Sequence, residues 1–253
     1  MPKNTLGLGN ILGGTGNYAN TGMISLKDRQ LYSIVSNGLV LHLDSGHSSS
    51  YPGSGSSWND LSTTSSLYTT TSSPTFDISS NSSFSFNGSS NLYIATENSA
   101  LNTQTPSVEV WIKTNALSQN GFWFEKGQVN TQYSLFQEGA NIQWRQSIGG
   151  SITNLSTLTS AYINISSWYQ IVGTYESGSR KLYINGELVN SDIQTGSIGT
   201  NTNGTSVGVY GGHNGSRGYY YNGNIAIVRV YNKVLSSQEV SQNFNSNRSR
   251  FKI

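Results

Sequence analysis

The chain has no cysteine, so no disulfide framework is available to it. It is also short of charge. Asp, Glu, Lys and Arg make up 10% of its 253 residues, against about 25% in ordinary soluble domains. The net charge is +2, and no basic run occurs before the last six residues, so no nucleic-acid groove is expected. No apolar run approaches the ~18 residues of a membrane-spanning helix, and membrane insertion is not expected. The first residues hold no apolar stretch of about 7–15 residues, so no secretory signal peptide is expected either. No internal repeat of about 20–50 residues is visible.

What remains is a neutral polar surface of Ser, Thr, Asn, Gln and Gly over a core for which aromatic residues, 11% of the chain, supply much of the buried area. A β signal dominates from Trp168 to Ile193, WYQIVGTYESGSRKLYINGELVNSDI. Trp168 to Tyr175 ends at Ser177-Gly178-Ser179. Lys181 to Ile184 and Glu187 to Val189 flank Asn185-Gly186. Asn and Gly tolerate the positive φ that a two-residue type I′ turn needs at both central positions, so a hairpin is expected here. Side chains alternate along a strand, which puts Leu182 and Ile184 on one face and Lys181 and Tyr183 on the other.

Further strands are expected at Leu39 to Leu43, Ser107 to Lys113, Gly121 to Glu125, Gln132 to Phe136 and Asn141 to Arg145. Val108, Val110 and Ile112 should share a face. Phe84 to Phe86 and Leu92 to Ile94, around Asn87-Gly88, resemble a second hairpin. Short strands separated by turn signals predict an antiparallel two-sheet sandwich. A single helix is well marked, over about residues 237–246. Ser236 and Glu239 make a capping box, and Leu235 with Val240 makes a hydrophobic staple. It should lie at the sandwich edge. Residues 1–36 differ from the rest. Six glycines from Gly7 to Gly22 separate Leu6, Leu8, Ile11 and Leu12, which predicts an extended docking arm that becomes ordered on a partner, ahead of a domain over 37–253.

Several spaced motifs together carry a resemblance. They are Leu39-Val-Leu-His-Leu-Asp44, Trp58-Asn-Asp-Leu-Ser62, the Trp168 to Val189 stretch, and Tyr221-Asn-Gly-Asn-Ile-Ala-Ile-Val-Arg-Val-Tyr231 with the helix after it. Over residues 37–253 the chain resembles the laminin-G-like branch of the concanavalin A-like jelly rolls. The ending Arg248 to Ile253 is similar to endings of such domains in tailed-phage virion proteins. The resemblance implies an all-β jelly-roll sandwich with an N-terminal arm and a C-terminal helix. It also implies a non-enzymatic virion structural protein on the surface of a phage particle, as capsid decoration or tail-associated attachment protein, that contacts other virion proteins, its own copies and surface glycans. Such a particle leaves the cell by lysis and needs no signal peptide. Two other readings stay open. One is a carbohydrate-binding module of a bacterial surface or extracellular protein, and the other a glycoside hydrolase, since this fold hosts many functions.

The acidic residues speak against hydrolysis. Jelly-roll glucanases carry Glu-x-Asp-x-x-Glu on one strand, which sets two carboxylates at the separation a retaining mechanism needs. No two acidic residues here are two apart. No histidine pair has metal spacing, and no G-x-S-x-G elbow occurs. No catalytic residue is therefore assigned. Related domains often hold Ca²⁺ at the rim, and the resemblance leaves one candidate site at Asp44 and Asp60. The matching Phe86 to Tyr93 stretch has Asn or Ser where acidic ligands stand, which removes charge a hard cation wants. Loop bracing by Asx-type hydrogen bonds is the simpler role for both Asp residues. His42, mid-strand, reads as structural. The candidate ligand surface is aromatic and basic: His213, Arg217, Tyr219, Tyr220 and Tyr221, with Trp144 and Arg145. Tyr219 and Tyr221 should share one face and Tyr220 the other, since adjacent residues of an extended chain face opposite ways.

Overall fold

Asn185 and Gly186 both sit at positive φ, 50° and 84°, and close the expected two-residue turn. The computed structural model describes residues 33–70, 72, 74–89, 93–127, 132–211 and 218–253. The candidates Leu6, Leu8, Ile11, Leu12, His213 and Arg217 lie outside them. In chain order the strands are β1 Leu39–Asp44, β2 Ser57–Asn59, β3 Leu67–Thr69, β4 Thr75–Asp77, β5 Ser83–Asn87, β6 Tyr93–Ala95, β7 Ser107–Thr114 and β8 Gly121–Lys126. They continue as β9 Tyr133–Glu138, β10 Asn141–Ile148, β11 Ser151–Leu158, β12 Trp168–Glu176, β13 Ser179–Ile184, β14 Glu187–Asp192, β15 Thr205–Val207 and β16 Asn222–Tyr231.

The strands form two antiparallel sheets. The first runs β14-β13-β12-β7-β16-β5-β4, with β1 also paired to β16. The second runs β11-β10-β9-β8-β15-β6-β3-β2. Alternation sorts the side chains. Val108, Val110, Ile112, Leu182 and Ile184 face inward from the first sheet, and Phe124, Leu135, Trp144 and Leu155 from the second, into one core between the sheets. Rings dominate it: Phe84 meets Tyr93 at 5.0 Å and Trp58 at 4.8 Å between centroids.

Four expectations are corrected. Phe84 to Ile94 is not a hairpin: β5 pairs with β4 and β16 in the first sheet, while β6 pairs with β15 and β3 in the second. The local pattern marks two strands but not the sheet each joins. The C-terminal helix runs Ser237–Phe251, well past 246. The basic ending is its last turn, where Arg248 and Arg250 complement the helix dipole and Phe251 stacks on Trp111 at 4.4 Å. Nor does the helix lie at an edge. It crosses the outer face of the first sheet, with Leu235 and Val240 packed on Val172, Tyr183 and Tyr231, and Phe251 on Trp111 and Trp168. Finally, the end of the predicted arm belongs to the domain. Val35 is buried in that layer, its N–H donates to Asn243 Oδ1 at 2.8 Å, and Gln242 Nε2 donates to the Ser33 carbonyl at 2.8 Å.

The helix seals a polar row. His42, Arg229, Glu109, Val172 and Tyr183 are successive cross-strand partners on the outer face. Glu109 is fully buried. Its Oε1 accepts from Trp111 Nε1 (2.9 Å), Gln170 Nε2 (3.0 Å) and Arg229 Nη1 (3.0 Å), and its Oε2 from Asn243 Nδ2 (2.8 Å). A buried charge is tolerable only when paired and hydrogen-bonded in this way.

Candidate functional site

Among the described residues no helix crosses the outer face of the second sheet. Two rows of side chains cross it. In one, Ser206, Glu125, Ser134, Arg145 and Asn154 are successive cross-strand partners from β15 to β11. In the other, Phe122, Phe136, Gln143 and Ser156 follow one another from β8 to β11. Inward-facing Phe124, Leu135, Trp144 and Leu155 alternate with them, so the core fixes which side chains point out.

Phe122 and Phe136 stack at 4.1 Å with planes 13° apart. The Arg145 guanidinium lies 4.3 Å above the Phe136 ring centre and 5.9 Å from that of Phe122, within cation–π reach. Its Nε donates to Asn154 Oδ1 at 2.9 Å and its Nη2 to Glu138 Oε2 at 3.4 Å. Gln143 Oε1 accepts from Ser156 Oγ at 2.5 Å. Glu125 is buried at the far end of the first row, where its Oε2 accepts from the Gly211 N–H (2.7 Å) and Ser206 Oγ (3.3 Å). Between them Ser134 Oγ is buried without a hydrogen-bond partner among the described residues.

A loop brings tyrosines to this face. Tyr210 and Gly218 exchange backbone hydrogen bonds of 3.0 and 3.2 Å, and Phe122 N–H donates to the Tyr219 carbonyl at 3.2 Å. Tyr219 is 49% exposed and nearly parallel to Phe122, 21° between planes and 6.3 Å between centroids. Tyr210 sits 5.0 Å from Phe122 and 6.0 Å from Tyr219. Burial, then the Glu125 carboxylate, raise the Tyr210 phenol above its ordinary pKa, so it stays a neutral hydroxyl.

The structure thus brings Arg145 and Tyr219 together beside Phe122, while His213 and Arg217 lie outside the described residues. Other candidates fall elsewhere. Trp144 is fully buried, its Nε1 donating to the Thr174 carbonyl at 3.0 Å, and is core rather than surface. Tyr221 is core as well, 6.2 Å from Trp123, while Tyr220 is half-buried. Tyr219 and Tyr221 do not share a face, because φ of 51° at Tyr219 breaks the extended alternation. Phe122, Phe136, Tyr210, Glu138 and Asn154 were not singled out by the sequence. The all-apolar run Phe122-Trp-Phe124 hides which ring faces out.

Asp44 and Asp60 are each occupied by protein donors. Asp60 accepts from the N–H groups of His42 (2.8 Å), Ser62 (2.8 Å) and Ser66 (3.1 Å) and from the hydroxyls of Ser62 and Thr64 (2.8 Å each). Asp44 Oδ1 accepts from Gly46 N–H at 2.9 Å and Arg250 Nη1 at 2.5 Å. Burial alone would raise the Asp44 pKa, but Arg250 beside it holds the carboxyl below the usual range. Among the described residues no group of three or more His, Asp or Glu is placed to hold a metal ion.

A model of the concanavalin A-like lectin/glucanases superfamily matches residues 86–241, more than half of the chain. No curated protein sequence matches. Solved structures do. One is of botulinum neurotoxin type C, whose entering of cells depends upon interaction with two ganglioside molecules: TM-score 0.63, 17% identity, over 83% of this chain and 51% of that one. A second is the binding domain of botulinum neurotoxin DC in complex with SialylT, at TM-score 0.65 and 14% identity, over 84% and 52%. A third is that binding domain in complex with rat synaptotagmin II, at 0.63 and 16%, over 83% and 51%. The chain therefore spans about half the length of the structures it matches. At these identities the likeness is one of fold.

Proposed function

Because the chain belongs to the concanavalin A-like lectin/glucanases superfamily, we propose that it binds a glycan on the outer face of its second sheet and carries out no reaction there. One observation carries this reading. Tyr219, Arg145, Asn154 and Glu138 give the outer face its solvent-reaching part, which offers a ring to stack on a sugar and donors and acceptors for its hydroxyls. The ganglioside and SialylT complexes of the structural neighbours agree with a glycan as ligand. Glu125 is enclosed and Glu138 is paired to Arg145, an arrangement unlike a free acid and nucleophile facing one bond.

The test is binding of the full chain to an array of bacterial and host glycans, followed by titration calorimetry on a hit. Tyr219→Ala is expected to lower affinity about tenfold or more, which is ~1.4 kcal/mol, without changing the melting temperature. Unchanged affinity would move the site elsewhere. Release of reducing ends that is abolished by Glu125→Gln or Glu138→Gln would replace binding with hydrolysis.

We place the domain on the surface of a tailed-phage particle, joined to capsid or tail proteins through the residues ahead of Ser33. Mass spectrometry of purified particles tests this. Deleting residues 1–30 should leave the melting temperature of the domain unchanged and abolish its incorporation. The competing reading is a module of a bacterial surface protein, and it gains if the chain is absent from particles but the array is positive.

A further inference from the structure

A strand at the edge of a sheet carries a row of unpaired N–H and C=O groups. Folded proteins block such rows with short strands, charges, bulges or covering loops. This domain blocks its edges unevenly. β2 and β4 are three residues each, and β4 ends in Asp77. The free side of β1 is covered by the loop after it: His42 N–H donates to Asp60 Oδ1, Asp44 N–H to Ser50 Oγ, and Leu61 N–H to the His42 carbonyl. β14 carries Glu187 and Asp192 and pairs with β13 across a register shift.

β11 has no charge, proline or bulge, and its cover is partial, coming from β14 of the first sheet through Asn190. All eight of its residues pair with β10 in one unbroken register, Asn141↔Leu158 to Ile148↔Ser151. The thirty residues from Gln146 to Tyr175 contain no proline and no Asp, Glu, Lys, Arg or His, where the overall 10% charge would place about three. Ile152 is 48% exposed, and Leu158, Ile165 and Leu188 are exposed as well. One outward group is taken, since Asn190 Nδ2 donates to the Ser156 carbonyl at 2.7 Å. That carbonyl therefore points away from β10. In an antiparallel ladder alternate residues point the same way, so Ile152 and Asn154 also turn their N–H and C=O outward.

We propose that β11 pairs with β11 of a second copy of this chain, antiparallel about a two-fold axis at Thr153. Ile152 of one copy then faces Asn154 of the other. The lack of charge selects this partner. A two-fold axis brings each patch against itself, and like charges directly opposite are destabilising. A strip without charge meets its own copy free of that cost, whereas a different partner would need no such neutrality. The pairing would continue the second sheet through both chains. Arg145 lies one strand inward from β11, so two copies of the outer face would form one surface and engage a repeating glycan with avidity.

Sedimentation velocity of the full chain over rising concentration tests the pairing. Twice the chain mass is expected, with half of it for Ile152→Lys at an unchanged melting temperature. Ile78→Lys, at a 77% exposed position beside the opposite edge, should leave the double mass intact. Hydrogen exchange gives a reading that needs no variant: the Ile152 and Asn154 amides should exchange at least tenfold more slowly at high concentration than on dilution. A single-chain mass at all concentrations, a double mass that survives in Ile152→Lys, or loss of the double mass in Ile78→Lys would each overturn the proposal.

Discussion

Two rows of side chains cross the two sheets, and they are built alike. His42, Arg229, Glu109, Val172 and Tyr183 cross the first sheet; Ser206, Glu125, Ser134, Arg145 and Asn154 cross the second. Each holds a Glu and an Arg on an outer face. The first row lies under the C-terminal helix, and its Glu109–Arg229 pair is no more than 1% exposed. In the second, Ser206, Glu125 and Ser134 are no more than 2% exposed, and only the end with Arg145 and Asn154 reaches solvent, where the arginine pairs with a Glu138 that is 44% exposed. Both glutamates are enclosed, while the arginine is sealed in the first row and partly open in the second. What lies above a strand face decides its role.

The largest expected effect breaks the covered row. Glu109→Ala removes the acceptor for Trp111, Gln170, Arg229 and Asn243 at once. Losing one partner of a buried ion pair costs about 3–5 kcal/mol. Denaturant unfolding should show a loss of that size, and the C-terminal helix should detach first. A loss under about 1 kcal/mol would mean that water already reaches this row.

The covered row also fixes the acid response. His42 Nε2 is buried without a partner among the described residues. Burial first, and Arg229 second, push its pKa down from 6.5 to about 3. The folded state therefore binds this proton less readily than the unfolded state. Its stabilising effect is complete above the unfolded value of about 6.5 and is lost as pH falls from there toward 3. The melting temperature should drop across that window, and His42→Gln should flatten the slope. An unchanged slope in the variant would show that His42 does not set the acid response in this window; Asp44, whose depressed pKa acts only in more acidic solution, could not supply it.

Which parts of this were legible depends on the range of the interaction. The Asn185-Gly186 turn and the Ser236–Glu239 capping box are local, and both are present as expected, with Ser236 Oγ accepting from Glu239 N–H at 3.2 Å. Val108, Val110 and Ile112 face the core as their alternation requires. The length of the helix was not legible, because its last turn is held by Phe251 on Trp111, a contact across the fold. β11 went unseen because Ser-Ile-Thr-Asn-Leu-Ser-Thr-Leu carries no clean apolar alternation; its place is set by β10. At the candidate site Arg145 and Tyr219 could be named from residue type. Trp144 could not be told from a surface platform until Ile142 and Trp144 were seen to share the inner face.

The turn that anchors the first sheet gives a smaller effect. Gly186 is at φ +84°, and Gly186→Val forces a β-branched residue into that region at a cost of about 1–3 kcal/mol. Its position beside Phe244 of the helix, where an added Cβ would sit 3.4 Å from that side chain, means the variant should also loosen the helix cover. Thermal unfolding measures the first effect, and protease sensitivity of the helix the second. A melting temperature equal to wild type would rule out strain at this turn.

The smallest effect on stability is expected on the open row, and it is the sharpest comparison of the two faces. Arg145→Gln removes a surface ion pair and a cation–π contact with Phe136. Ion pairs with an exposed partner are worth about 0.2–1 kcal/mol, and a cation–π contact on a buried ring such as Phe136 up to about 2 kcal/mol, so unfolding should shift by about 1–2 kcal/mol. Arg229→Gln, the same change on the covered row, leaves Glu109 buried without its counter-charge and should cost several times as much. Glycan affinity should respond in the opposite order, falling with Arg145→Gln and holding with Arg229→Gln at temperatures where that variant is folded. Equal stability losses from the two arginines would show that the second sheet is covered as tightly as the first, and the outer face of Arg145 would then have no room for a ligand.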